Sequence, residues 1–313
     1  MEIISRLEDI EQNRNCVLTT GTFDGVHLGH QTIIRELIES ARTANACATI
    51  VTFEPHPQFV VKQKQKVALK LLSSIDEKIA ILDELGVDRL IVLPFTLSFS
   101  KLSSGEFIEN ILIKKIGLNK IIIGYDHAFG KNRTGEYEII KEYSKRYNFS
   151  IVRMPPFSKE DIVISSTAIR NLLSNGAVAE AANYLGRYYK ITGRVISGEG
   201  RGKEFSVPTA NIVPVFENKL IPQNGIYAGC VRLLNQKYKA VIYIGKKPTF
   251  SYNELSFEVY IFNFNGNIYN EILEVEFIVK VRDDRKFDNA KKLYTQIEED
   301  KEKTLEILSN CQI

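Results

Sequence analysis

Cys16-Val17-Leu18-Thr19-Thr20-Gly21-Thr22-Phe23-Asp24-Gly25-Val26-His27-Leu28-Gly29-His30 decides how the first half of the chain folds. Its opening five residues are apolar or β-branched and read as a buried strand. Glycines and short polar residues then interrupt the run. After His30, residues Ile33, Ile34, Leu37, Ile38 and Ala41 fall on one helical face. The stretch is therefore a strand, a glycine loop and the start of a helix. The same alternation continues, with further buried strands expected at Cys47–Phe53, Arg89–Phe95, Lys120–Gly124 and Ser150–Met154. Between them, Ser74 with Glu77 and Ser103 with Glu106 fit capping boxes. Strand, helix, strand, repeated, implies an α/β domain: a parallel sheet with helices on both faces. A ligand would sit beyond the carboxyl ends of its strands.

The rest of the 313 residues changes character near Gly186. From Ile191 onward come short β-rich runs, Ile191–Ile196, Ile226–Leu234, Lys239–Ile244, Ser256–Phe264 and Ile272–Val281, with turn residues between them. No helical pattern intervenes, so an antiparallel barrel or sandwich is expected. Phe287–Leu308 carries the stripe Ala290, Leu293, Tyr294 and Ile297 among charges and is expected to be a covering helix. The expected domains are 1–185 and 186–313.

Composition limits the function. Lys plus Arg (41) against Asp plus Glu (38) gives a net charge of +3, too little for a general nucleic-acid coat. Hydrophobic residues at 44% and charged residues at 25% are globular values, not those of a disordered chain. Cys16, Cys47, Cys230 and Cys311 are scattered singly, which argues for a reducing compartment and against a disulfide framework or a structural zinc site. The first residues lack the apolar core of a signal peptide, and no apolar run is long enough to span a membrane. A cytoplasmic protein acting on small molecules is expected, with no nucleic-acid or membrane partner; nothing in the sequence speaks to its oligomeric state. The one biased stretch, Val60–Lys70 with Lys62, Lys64, Lys66 and Lys70, reads either as a solvated loop or as a flap facing phosphate.

The glycine loop carries chemistry. A helix start offers unpaired amides and the positive end of a dipole, which favour phosphate, and glycines let the backbone come close to a ligand. His27 and His30, three apart, both project from the first turn. Two imidazoles there can donate to a phosphate whose oxygens gain charge in a transition state, without a nucleophilic Ser or Cys.

This segment resembles the HxGH signature of the nucleotidyltransferase superfamily. Three further segments narrow the likeness: Phe53-Glu54-Pro55-His56-Pro57, Gly124-Tyr125-Asp126-His127-Ala128-Phe129-Gly130 and Ile164-Ser165-Ser166-Thr167-Ala168-Ile169-Arg170. In that order they look like the adenylyltransferase module of prokaryotic bifunctional riboflavin kinase/FAD synthetases, and the resemblance covers nearly the whole chain. It implies a Rossmann-like nucleotidyltransferase domain followed by a riboflavin-kinase-like barrel with a C-terminal helix. The reaction implied for the first is attack by an FMN phosphate oxygen on the α-phosphorus of ATP, giving FAD and pyrophosphate with Mg2+ as the usual metal. On the matching positions, His27 and His30 would steady the reacting phosphate. Gly21, Phe23, Asp24, Gly25 and Gly29 would shape the nucleotide loop, while Ser166, Thr167 and Arg170 would hold the departing pyrophosphate. Asp126 and Phe129, with His56 more weakly, would touch flavin or nucleotide. From the residues alone, Ser165-Ser166-Thr167 is equally a helix N-cap and the segment around His56 a strand end stopped by two prolines.

In the second half, Gly198-Glu199-Gly200-Arg201-Gly202-Lys203 is no P-loop, since its spacing is one residue short and Glu204 follows Lys203. Pro208-Thr209-Ala210-Asn211 resembles the PTAN motif of riboflavin kinases. The resemblance makes Gly198, Gly200, Gly202 and Lys203 a flap over ATP, and Thr209 and Asn211 the residues that help hold Mg2+ and phosphates. Glu258, in Phe257-Glu258-Val259-Tyr260, matches the base that would deprotonate the ribityl hydroxyl of riboflavin. Ser206 and Val207 before PTAN, Tyr243 for Asn, Tyr260 for His and Asn270 for Gly depart from the family pattern. Three readings follow: an enzyme that makes FMN and then FAD, an FMN adenylyltransferase with a silent flavin-binding barrel, or a sensor that binds flavin and nucleotide without turnover.

Overall fold

The computed structural model describes residues 1–13, 15–61, 69–125, 136–159, 162–197, 208–246 and 255–309. They divide into two compact units, Met1–Ser166 and Thr167–Ile313.

The first unit contains, in chain order, β1 (Glu2–Ile4), β2 (Cys16–Thr20), α1 (Leu28–Thr43), β3 (Cys47–Glu54), α2 (Pro57–Val61), α3 (Ile75–Glu84), β4 (Arg89–Pro94), α4 (Ser104–Glu106) running into a π-helical stretch Phe107–Ile116, β5 (Lys120–Ile123), α5 (Glu136–Tyr147) and β6 (Ser150–Arg153). A small hairpin, β7 (Ser158–Lys159) and β8 (Ile162–Val163), follows. The sheet is parallel throughout, in the order β1-β4-β3-β2-β5-β6. All five expected strands are present. β1 is a three-residue edge strand, too short to register as a run.

Each face of the sheet buries its own apolar cluster. Ile34, Leu37 and Ala41 of α1 and Leu82 of α3 pack on one side with Val17, Ile50, Leu90 and Ile122. Phe107, Ile108, Leu112 and Ile116 pack on the other with Leu18, Val51, Ile91 and Ile121. Adjacent strand residues thus feed opposite cores, which is why these strands read as unbroken apolar runs. Both expected capping boxes form: the Ser74 hydroxyl accepts from the Glu77 amide at 3.1 Å while Glu77 accepts from the Ser74 amide at 3.0 Å, and Ser103 with Glu106 repeats the exchange.

The second unit holds α6 (Ser166–Ser174) apart from its first residue, α7 (Val178–Leu185), β9 (Tyr189–Ile196), β10 (Ala210–Pro214), β11 (Gly225–Leu233), β12 (Gln236–Lys246), β13 (Leu255–Ile261), β14 (Ile272–Asp283) and α8 (Ala290–Ser309). α7 ends at Gly186, whose φ of +74° suits a residue without a Cβ. The compact units divide ahead of the expected boundary at 185/186 because α7 packs on β9 and β14. The six strands close into a barrel in the order β10-β13-β12-β11-β14-β9. That settles the choice between barrel and sandwich. β10 is not among the expected strands, since Asn211 and Pro214 break up a run of only five residues.

Tyr227 and Phe277 fill the barrel with their rings 5.4 Å apart and nearly perpendicular, and Ile191, Ile242 and Val259 are fully buried. Gly229 lies where a Cβ would run into the Glu276 carbonyl and Ile242. Outside, Ala228, Cys230 and Ile278 meet Leu308 of α8. The Arg282 guanidinium clamps Asp300 of α8, Nε to Oδ1 at 2.8 Å and Nη2 to Oδ2 at 2.7 Å, and Asp300 is only 4% exposed. Removing one partner of such a pair strands the other charge, so Asp300→Ala is expected to lower unfolding free energy by about 3 kcal/mol. Urea denaturation checks this, and a loss below about 1 kcal/mol, the scale of an exposed pair, would show that the clamp is not what holds α8.

Candidate functional sites

In the first unit, the carboxyl end of β2 runs into the glycine loop and then α1. His27 is the N-cap of α1, and its Nδ1 accepts from the His30 amide at 3.4 Å. The two imidazoles stack with centroids 3.7 Å apart and planes 19° apart, and Phe23 meets His30 edge-on at 5.1 Å. The pair arises partly because residue 29 is Gly: a Cβ there would lie 3.2 Å from Cε1 and Nδ1 of His27. A helix N-terminus and two stacked imidazoles share one corner, His27 buried and His30 half-buried.

The loop is bent hard. Phe23 (φ +47°) and Val26 (φ +38°) lie in the left-handed region, as does Gly25 at +80°. Non-glycine residues there cost on the order of 1–2 kcal/mol each, so the surroundings must impose the shape. Asp24, 2% exposed, accepts from the amides of Leu72 at 2.9 Å and Ser73 at 3.2 Å. The Gly25 amide donates to the Ser73 hydroxyl at 3.0 Å, and the Ser166 hydroxyl donates to the Asp24 carbonyl at 2.9 Å. Asp24 and Ser166 are thus brought to the loop, with the Asp24 carboxylate turned inward to hold its shape.

Beneath the loop lies a lysine that no sequence motif marks. Lys78 of α3 is 6% exposed, and its ammonium donates to the Thr52 hydroxyl at 3.3 Å. Burial lowers its pKa, opposed by the charges of Asp24 and Glu54. Glu54 in turn is raised by its own burial and pulled back by Lys78. The signal that could have found Lys78 is positional: it interrupts the apolar stripe Ile75, Ile79 and Leu82, at helical spacing.

His56 follows the cis Glu54–Pro55 bond and uses Nδ1 to accept from the Gln58 amide at 3.2 Å. Thr167 and Arg170 lie on α6, in the second compact unit. Asp126 and Phe129, and Gly198, Gly200, Gly202 and Lys203, fall outside the described residues, as do Lys62, Lys64 and Lys66 of the basic stretch and Ser206 and Val207.

In the second unit, strand pairing assembles a carboxylate site on the outer surface of the barrel. Glu258 on β13 stands opposite Asn211 on β10 and opposite Tyr243 on β12. The Thr209 hydroxyl donates to Glu258 Oε2 at 2.9 Å and the Ser256 hydroxyl to Oε1 at 2.7 Å. Ser256 is another residue that motif reading misses, although two residues along a strand share a face. Tyr243 lies over Gly245, where a Cβ would collide with its ring and hydroxyl, and its hydroxyl reaches Asp284 at 3.5 Å. Burial, then Asp284 and Glu258, push its pKa up to about 12, so the phenol stays neutral.

Of the other departures, Tyr260 lies under the Lys301 ammonium at 4.9 Å. Asn270 adopts φ +69°, the conformation a glycine would supply and Asn tolerates. An open cavity of about 480 Å³ adjoins the link between β14 and α8, lined by Arg285, Lys286, Phe287, Lys291, Lys292 and Gln296 among others. Among the described residues, no three His, Cys, Asp or Glu side chains gather into a metal cluster, and no helix is long and apolar enough to cross a membrane.

Comparison with known proteins matches both units. Residues 9–168 fit the FAD synthetase family model and residues 185–308 the riboflavin kinase model. The bifunctional riboflavin kinase/FMN adenylyltransferase of Haemophilus influenzae is 37% identical over 290 residues, covering 92% of this chain and 93% of its own. That of Bacillus subtilis is 33% identical over 305 residues, covering 96% and 95%. A solved Streptococcus pneumoniae structure, described as a macrolide-efflux protein, superimposes with a TM-score of 0.88 at 32% identity, over 97% of this chain and 99% of that one.

The stacking of His27 on His30 depends on the space above Gly29. Gly29→Ala is expected to move the ring NMR signals of both histidines and leave those of His56 in place. Unmoved His27 and His30 signals would show that the rings do not share that space.

Proposed function

The chain belongs to the bifunctional riboflavin kinase/FMN adenylyltransferase family, and we propose that His27 and His30 carry its nucleotidyl transfer and Glu258 its phosphoryl transfer. It makes FAD in two steps: riboflavin is phosphorylated to FMN, and AMP from ATP is then joined to FMN with release of pyrophosphate. The observation that carries the first assignment is the stacked imidazole pair at the N-terminus of α1.

In the adenylyl transfer, an FMN phosphate oxygen attacks the α-phosphorus of ATP, and the bond from that phosphorus to the bridging oxygen of pyrophosphate breaks. Negative charge grows on the non-bridging and leaving oxygens. The imidazoles of His27 and His30, with the first amides of α1, are aimed at one corner and would donate to those oxygens without reorganising. Gly21, Gly25 and Gly29 would let the loop bend tightly around the triphosphate, and Phe23 backs His30. Ser166 and Thr167 at the start of α6 and the fork of Arg170 would take the pyrophosphate. Flavin would meet Asp126, Phe129 and His56.

In the kinase step, Glu258 would take the proton of the ribityl hydroxyl as its oxygen attacks the γ-phosphorus of ATP. Thr209 donates its proton to Glu258, which turns a lone pair of its oxygen away from the carboxylate. Thr209 and Asn211 would supply neutral oxygens of the kind Mg2+ accepts, alongside phosphate oxygens. The ion would neutralise charge on the transferred phosphoryl group. Gly198, Gly200, Gly202 and Lys203 would cover the nucleotide. We assign the first activity to residues 1–185 and the second to 186–313, and place the enzyme in a reducing cytoplasm, which suits Cys16, Cys47 and Cys230 forming no disulfide.

The two sites should separate by mutation. His30→Ala is expected to slow FAD formation from FMN by about a thousandfold while leaving FMN formation from riboflavin intact. Glu258→Gln is expected to do the reverse. Chromatographic separation of flavins after incubation with ATP and Mg2+ reads both steps; either variant depressing both equally while still folded would refute the division.

A further inference from the structure

A lysine buried under the nucleotidyl-transfer loop needs a reason. An ammonium enters an interior only with compensation, and an unbranched apolar side chain such as Met would fill the same space without needing it. Lys78 is compensated from the loop side and from the sheet side at once. Its Nζ donates to Thr52 Oγ1 at 3.3 Å, and that hydroxyl donates onward to the Thr22 carbonyl at 3.4 Å. Thr22 sits in the bend between Gly21 and Phe23. The same ammonium feels the charge of Asp24, whose carboxylate fixes Leu72 and Ser73. α3 is itself pinned by the Ser74 capping box, one turn before Lys78.

We propose that Lys78 is a positioning residue for nucleotidyl transfer, holding the Thr22–Val26 bend, through Thr52 and Asp24, in the shape that presents His27 and His30 to the reacting phosphate. The proposal rests on the reading of these histidines given above. The bend contains two non-glycine residues at positive φ, a conformation that relaxes when its restraints are removed. A relaxed bend would still bind substrate through its amides. It would lose the alignment of the imidazoles with charge that develops only in the transition state, and such a loss falls on kcat more than on KM.

The test uses the full-length protein, with its own riboflavin kinase step as the internal control. Lys78→Met is expected to lower kcat for FAD formation by about 30-fold or more with KM for ATP and FMN within about threefold, and to leave FMN formation unchanged. Combined with His30→Ala, it should add less than about a threefold further loss, because the two act through one arrangement. Should Lys78→Met not fold, Thr52→Val replaces it, with Thr52→Ser expected to restore the rate by returning the hydroxyl.

A kcat within about threefold of the wild type for Lys78→Met, or for Thr52→Val in its place, would overturn the proposal. So would losses that multiply with His30→Ala, or a Thr52→Ser variant as slow as Thr52→Val. If His30→Ala alone leaves FAD formation intact, the histidine reading fails instead, and the positioning role falls with it.

Discussion

The first unit depends on one buried carboxylate. Asp24 gives its side chain to the amides of Leu72 and Ser73 and its carbonyl to the hydroxyl of Ser166. It thereby joins the end of β2 to the approach to α3 and to Ser166. Without that junction, the bend at Phe23 and Val26 would lose a main restraint on its left-handed backbone. That bend delivers His27 to the N-cap of α1, and Gly29 leaves room for its ring beside His30. The geometry of the pair proposed for nucleotidyl transfer is set by hydrogen bonds to the main chain more than by the imidazoles themselves.

The second unit solves a different problem. Glu258, the base proposed for phosphoryl transfer, stands on the outer face of the barrel, where a substrate can reach it, while Tyr227 and Phe277 fill the inside. Its orientation comes from neighbours rather than from burial, with one hydroxyl on each carboxylate oxygen. Those hydroxyls come from β13 itself and from the residue just ahead of β10, which pairs with it, so barrel closure builds the site. Two of the departures from the family pattern are absorbed locally. Tyr243 lies along the strand over Gly245, and Asn270 takes the φ that a glycine would.

Much of this is legible in the residues themselves. Five strands of the first unit, both capping boxes and the HxGH corner stand out because each depends on neighbours along the chain: alternation, a cap three residues on, an imidazole one turn away. β10 escapes such reading because five residues around Asn211 and Pro214 carry little pattern, although the motif inside it is recognisable. Lys78 escapes because a single lysine on a helix reads as solvated. Ser256 escapes because a strand serine carries no signal until its partner two residues on is known to matter.

The chain's own order of residues determined the two-part plan, the parallel sheet, the glycine loop proposed to meet phosphate, and the family likeness, since these rest on local periodicity and contiguous motifs. Tertiary structure alone decided that Asp24 turns inward, that Lys78 lies buried among Thr52, Asp24 and Glu54, and that α7 packs on the barrel strands β9 and β14. The reason is physical. Burial of a charge and the choice of its partners are set by segments distant in sequence, such as Thr52 and Lys78 or Asp24 and Leu72, which meet only when the sheet and its helices close around them.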